Sequence, residues 1–472
     1  MAGRFLQLFK PISRFIPEVG PPERSVSFNE KLFWTGLVLA VYLVMSEVPL
    51  FGIGRTGNDP FLYLRVIFAS KRGTLMELGI GPIVTAGLIL QLLAGSGLIA
   101  CDFSNAEDRG LFTVASKILS LVMTAVQASA YLIGGAYGSL DARTSLVVFM
   151  QLLFAGLIVM LLDELVQKGW GIGSGISLFI MAGVAQNIIW SCLAPIYAND
   201  NLFFGALVAA IQNAASGGAI ERVLIRPGNL PTLIGFVTTI VMFLVIIYLQ
   251  GIQLELPITY ASYRGFRGRY PIKLLYVSNL PVIFASSLFA NIFLISQLLW
   301  RNFNQNNRNF WLNILGMYTL KENRQVPIGG LAYYVTSPQN ITGVMNDPVR
   351  AVAYLTILVV FCVLFSLTWL EVGGLDPKTV AKQLVGAGMQ IPGYRRSQKT
   401  IELLLKRYIP IVTVFGGLLI GLIAGLADFL GVFGSGTGIL LSVGIIYQYY
   451  QLLAREKITE MYPVLKGFFG GR

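Results

Sequence analysis

The chain has 472 residues, 55% of them hydrophobic and 12% charged, with a formal net charge of +12 and no histidine. A soluble domain is about a quarter charged, so this composition belongs to a protein built mainly inside a bilayer. Without histidine there is no Ser-His-Asp triad, no imidazole acid–base chemistry and no His-ligated metal. Cys101, Cys192 and Cys362 lie far apart and suggest neither a metal site nor a disulfide framework. No enzyme activity and no cofactor are expected.

Residues 1–31 hold Pro11, Pro17, Pro21 and Pro22 among charges, without the apolar core and cleavage site of a signal peptide, and read as an N-terminal tail. Within it, Phe5, Leu6, Phe9, Ile12 and Phe15 recur at helical intervals, which suits either a helix lying on a membrane surface or an ordinary tail. A membrane-spanning helix needs roughly 20 mainly apolar residues. Ten runs qualify: about 32–51, 75–99, 112–137, 144–165, 172–198, 231–254, 277–300, 350–371, 408–428 and 435–453. Runs of this length predict helices rather than barrel strands, which show short dyad alternation.

The segment 52–74 is too short and interrupted to span. Its "DPFLYLRVIFAS" reads as a short helix capped by Asp59 with Pro60 in the first turn. The ten runs divide into 32–198 and 231–453, joined by a linker at 199–230 and followed by a tail at 454–472. With ten spans both termini share a side. That side carries 23 Lys and Arg, concentrated in the loops 255–276 and 372–407, against 12 on the other. The positive-inside rule therefore places the termini in the cytoplasm. Glu47, Glu77, Asp163, Glu164 and Asp428 all fall near span ends, so no carboxylate of the kind an ion-coupled carrier keeps near the midplane is evident.

The halves echo each other. "GPIVTAGLILQLL" at 81–93 sets Pro82, small residues and Gln91 in an order that "LPVIFASSLFANIFL" at 280–294 repeats with Pro281 and Asn291. "GIGPIV" and "GIGSGISLFI" open the second and fifth runs. Ile80 and Val84, like Ile176 and Ile180, are four residues apart and share a helix face. Ordinary helix packing is the leading account of such pairs, with the glycines beside them letting another backbone approach. A phosphate-loop reading of the glycines fails because no Lys-Ser/Thr follows.

The blocks "GIGPIVTAGLILQLLAG", "GIGSGISLFIMAGVAQ", "RGRYPIKLLYVSNLPVIFASSLFANIF", "TWLEVGGLDPKTVAKQL", "RRSQKTIELLLKRYIP" and "GSGTGILLSVGIIYQYYQLLAREK" follow one another in the order found in the SecY family. The chain resembles that family, the central channel subunit of the Sec protein translocon, in its archaeal and eukaryotic form. The resemblance implies an all-α polytopic protein: ten transmembrane helices in two pseudo-symmetric five-helix halves around an hourglass pore. It implies a pore ring of Ile80, Val84, Ile176, Ile180, Ile283 and Leu441, and a plug at about 55–73. It further implies a lateral gate with a polar cluster of Thr85, Gln127 and Asn291.

The implied function is passive conduction of unfolded polypeptides across the membrane and sideways into lipid, driven by a partner such as the translating ribosome. The expected partners are small single-span subunits of SecE/gamma and beta type, the ribosome with its RNA, signal sequences, nascent chains and lipid. The basic residues Arg264, Arg267, Arg269, Lys273, Arg395 and Arg396 are candidate ribosome contacts, since Lys and Arg neutralise phosphates. They also serve topology. A multi-pass protein of an archaeal plasma membrane, or of the endoplasmic reticulum, is expected. A secondary transporter of a small solute is the competing reading.

Overall fold

The computed structural model describes residues 11, 17–24, 26–53, 69–95, 98–99, 106–134, 137, 140–198, 202–224, 226, 230–260, 267–277, 280–321, 324–338, 341–386, 388–390 and 397–461. Among these, ten long helices form the body of the protein. They are α1 (Phe28–Glu47), α2 (Gly81–Gly95), α3 (Ala106–Ile133), α4 (Ala142–Leu165), α5 (Gly175–Leu193), α6 (Leu233–Gly251), α7 (Leu280–Phe303), α8 (Pro348–Val372), α9 (Gln398–Phe429) and α10 (Gly436–Met461). Eight are long and apolar enough to cross a membrane; the exceptions are α2 and α10.

Helix bounds depart from the apolar runs in instructive ways. α2 is only 15 residues long. Gly79 has φ 55°, and Pro82, which has no N–H to leave unpaired, sits at the start of the helix. α9 begins ten residues before its apolar run, and α10 continues to Met461. Their polar ends stand clear of the apolar zone, so Lys399, Lys406 and Arg407 lie on a helix and not in a loop.

The expected helical architecture holds, with two small sheets added between the helices. β1 (Gln253–Tyr260) and β2 (Arg267–Lys273) form an antiparallel hairpin, to whose β1 the short β5 (Met389–Gln390) adds. β3 (Met317–Lys321) and β4 (Arg324–Gly329) form a second hairpin. A short helix, Ala206–Ala215, lies in the expected linker. These elements lie between the long apolar helices in sequence, where hydropathy carries no signal for them.

Between apolar helices in lipid, burial gives little driving force, so association depends on close packing and hydrogen bonds. α9 shows the first. Gly417, Gly421 and Gly425 form a stripe where any β-carbon would crowd α8: Ser366 Oγ at 2.5 Å, Val359 Cα at 2.8 Å and Leu355 Cδ1 at 2.5 Å.

Hydrogen bonds govern the helix starts. Asp163, at the end of α4 and 7% exposed, accepts the Ile176 N–H at 3.0 Å and the Ser174 hydroxyl at 3.3 Å, capping α5. Asp428, at the end of α9 and 4% exposed, accepts the Gly436 N–H at 2.6 Å and the Tyr354 hydroxyl at 3.0 Å, capping α10. A β-carbon at Gly175 would sit 2.7 Å from Asp163 Cα, and one at Gly436 would sit 2.7 Å from Ala427 Cβ. Spans four and nine thus each end in a buried carboxylate that starts the next span.

The N-terminal tail is tied down on the α3–α4 side. Trp170 Nε1 donates to the Gly20 carbonyl at 2.8 Å. Glu18 pairs with Lys168, and with Lys117 at 3.5 Å; both lysines also meet the buried Glu164, at 2.9 and 2.5 Å. The hydrogen bond from Lys168 holds the Glu18 carboxyl below the usual carboxylate range.

Candidate functional site

The largest apolar cluster runs through both halves. Ile80, Val84, Ile180 and Leu441 belong to it, 0, 7, 1 and 0% exposed, and the half-buried Ile176 and Ile283 pack against it. The six residues arrive from four directions. Ile80 accepts the Val84 N–H at 3.1 Å in the opening turn of α2. Ile176 and Ile180 lie on the first two turns of α5, Ile283 on the first turn of α7, and Leu441 on the second turn of α10. The carboxylate caps described above therefore fix the starting points of two helices that carry ring candidates.

Beside this cluster lies a polar one. Thr85 Oγ1 on α2 accepts from Asn291 Nδ2 on α7 at 3.1 Å and from Gln127 Nε2 on α3 at 3.4 Å. Ser287 Oγ stands 3.3 Å from the same hydroxyl, and Asn291 Nδ2 also donates to the Ser287 carbonyl at 2.8 Å. All three gate candidates meet at one atom. Ser287, fully buried, was missed by sequence reasoning. Its place one helical turn before Asn291 on the same face was the available signal. Gln91 takes no part: it borders a small apolar crevice lined by Leu88, Phe284, Phe365 and Trp369.

The basic candidates separate. Arg269 on β2 is largely exposed, and its ion pair with Glu255 holds that carboxyl below its ordinary range. Lys273 turns inward: its Nζ donates to Gln451 Oε1 at 3.2 Å and lies 4.9 Å from the centre of the Tyr447 ring, both on α10. Burial lowers its pKa. Lys273 anchors the hairpin to α10. Arg267 lies on β2 opposite Thr259 in the backbone register. Arg264, Arg395, Arg396 and the core of the expected plug, 54–68, lie outside the described residues.

Two halves that meet in an aliphatic cluster, with helices joined across the seam by a few hydrogen bonds, are the architecture of a membrane channel. The sequence profile of the SecY family matches residues 74–450, and that of the plug domain of Sec61p matches residues 41–73. The chain is 43% identical to the protein transport protein Sec61 subunit alpha of Dictyostelium discoideum, over all of both chains. It is 44% identical to the protein translocase subunit SecY of Pyrococcus horikoshii, over 98% of each. The solved structure of Sec61 in the canine ribosome-channel complex from the endoplasmic reticulum superposes with a TM-score of 0.80 at 40% identity, covering 96% of this chain and 98% of that one. The chain belongs to the SecY/Sec61 alpha family. It is a protein translocation channel of a membrane, neither an enzyme nor a solute carrier.

Proposed function

We propose that polypeptides leave this channel sideways between α2 and α7, and that Thr85, Gln127, Ser287 and Asn291 hold that exit shut. The observation carrying this reading is the convergence of three helices on the single Thr85 hydroxyl. Hydrogen bonds between membrane helices average under about 1 kcal/mol each. A cluster of that strength keeps an idle gate closed and still yields to an apolar signal sequence binding between the helices. The aliphatic ring closes the axial path by dewetting.

The Asn291→Leu variant tests the gate. One hydrogen bond across the closed seam is lost, that from Asn291 to Thr85, together with one inside α7, and a signal with a shortened apolar stretch gains acceptance by roughly fivefold, as expected for about 1 kcal/mol. A signal-length series read in translocation assays measures this. Equal tolerance in variant and parent would remove the gate assignment.

The energy for transport comes, in this proposal, from a bound ribosome, with signal sequences, nascent chains, lipid and small single-span subunits as further partners. The canine relative lies in a ribosome complex, and the exposed Arg269 lies on a hairpin outside the span zone. Replacing Arg267 and Arg269 by Glu should weaken ribosome binding by on the order of tenfold and flatten its salt dependence, because fewer phosphates are neutralised. Lys273→Gln should instead act on stability, through the loss of its contacts with α10. Binding isotherms over a salt series separate the two. An unchanged salt slope for the double reversal would sink the RNA-contact reading. The cytoplasmic placement of both termini, and an archaeal plasma membrane or endoplasmic reticulum as the host, are parts of the same proposal.

A further inference from the structure

Beyond the polar cluster, α3 and α7 part around an open groove lined by Val122, Val126, Ile133, Leu298 and Phe303. Beside the groove's Ile133 and Leu298 the two helices are joined again. Arg301 Nη1, near the end of α7, donates to the carbonyl of Gly134 at 2.6 Å, one residue beyond the end of α3. The last carbonyls of a helix have no intrahelical donor and carry partial negative charge, so a guanidinium there is stabilised by charge as well as by its hydrogen bond. Gly134 also permits the approach. A β-carbon on it would lie 2.6 Å from Leu298 Cδ2, a side chain one turn before Arg301. Tyr131 adds an apolar contact, packing against the cluster that contains Phe293 and Trp300.

We propose that Arg301 is a positioning residue that clasps the gate shut by capping α3 from α7, and so sets how strong a signal sequence must be to open it. The proposal rests on the reading of the Thr85 cluster as the gate. α3 belongs to the first half and α7 to the second, so any separation that widens the groove breaks this bond. A bond made only in the closed state raises the differential affinity that an opening ligand must supply. The clasp sits at the helix ends, where the lever arm is longest, while the Thr85 cluster sits nearer the middle. Two independent fastenings resist twisting of the seam better than one.

The test uses the complete channel in cells or proteoliposomes, with reporters bearing either an intact or a shortened signal. Arg301→Ala should raise translocation of the shortened-signal reporter on the order of tenfold, the shift expected for one charge-assisted hydrogen bond. The intact-signal reporter should be unaffected. Arg301→Lys, which retains a cation at the α3 terminus, should stay close to the parent. Gly134→Ala should act in the same direction as Arg301→Ala, by wedging Leu298 away from the other side of the seam. It decides the matter if Arg301→Ala fails to accumulate. Asn291→Leu is run in parallel. A parental threshold in both Arg301→Ala and Gly134→Ala, with a shifted one in Asn291→Leu, would overturn the clasp and leave the gate standing. Parental thresholds in all three would overturn the gate reading itself.

Discussion

Ile176→Ser combined with Ile283→Ser turns an electrically silent idle channel into one that conducts small ions. Of the six ring candidates, these two remain half-buried, bordering the aliphatic cluster instead of lying inside it. Their partial exposure makes them the two ring candidates whose substitution disturbs packing least. A hydroxyl gives water a hydrogen-bond partner and removes alkyl volume, and both changes favour wetting of a narrow constriction. Substituting Ile80, Ile180 or Leu441 would confuse the measurement. Each is at most 1% exposed, and truncating such a side chain costs about 2–5 kcal/mol in packing alone. Current recordings from reconstituted channels decide the issue, and deletion of residues 56–70 should enlarge the leak. A double variant that stays silent even without those residues would refute the ring.

The second large effect is on stability. Asp428→Ala removes two hydrogen bonds to a buried carboxylate and leaves the Gly436 N–H and the Tyr354 hydroxyl without that acceptor. Losses of this kind cost about 3 kcal/mol. They fall on the start of α10, so the position of Leu441 should loosen as well. Asp428→Asn keeps an oxygen for the Gly436 N–H and should retain most of the stability. Thermal unfolding in detergent reads the difference. Asp428→Ala melting together with the parent would show that the turn, and not the carboxylate, starts the helix. Asp163→Ala should behave likewise at α5.

Much of the body was legible because spanning helices announce themselves by length and apolarity. The six ring residues and the three gate residues were reached through motif resemblance, with helical spacing adding only that the pairs Ile80–Val84 and Ile176–Ile180 share a face. What sequence reading lacked was pairing across distance. Asp163 and Asp428 looked merely like charges at span ends, since nothing local reveals that each reaches forward to cap the next helix. Lys273 looked like Arg269, because both are cations in one basic loop; only the packing of the hairpin on α10 separates them. Ser287 was lost among small residues. The β-hairpins were invisible to a reading tuned to hydropathy, although the alternating "QLELPITY" of β1 carried a strand signal.

The short α2 has a consequence for the bilayer around it. At about 1.5 Å per residue its 15 residues cover about 22 Å, well under the roughly 30 Å of a typical hydrocarbon core. A lipid in contact with its exposed Leu92 would have to compress to match it, since hydrophobic mismatch is relieved by local thinning. The irregular backbone of residues 69–80 that precedes it cannot face acyl chains and must turn toward protein or water. On the exit proposed between α2 and α7, a segment leaving beside α2 would therefore meet a locally thinned bilayer. There the polar flanks of an apolar stretch have the shortest distance to travel between aqueous phases.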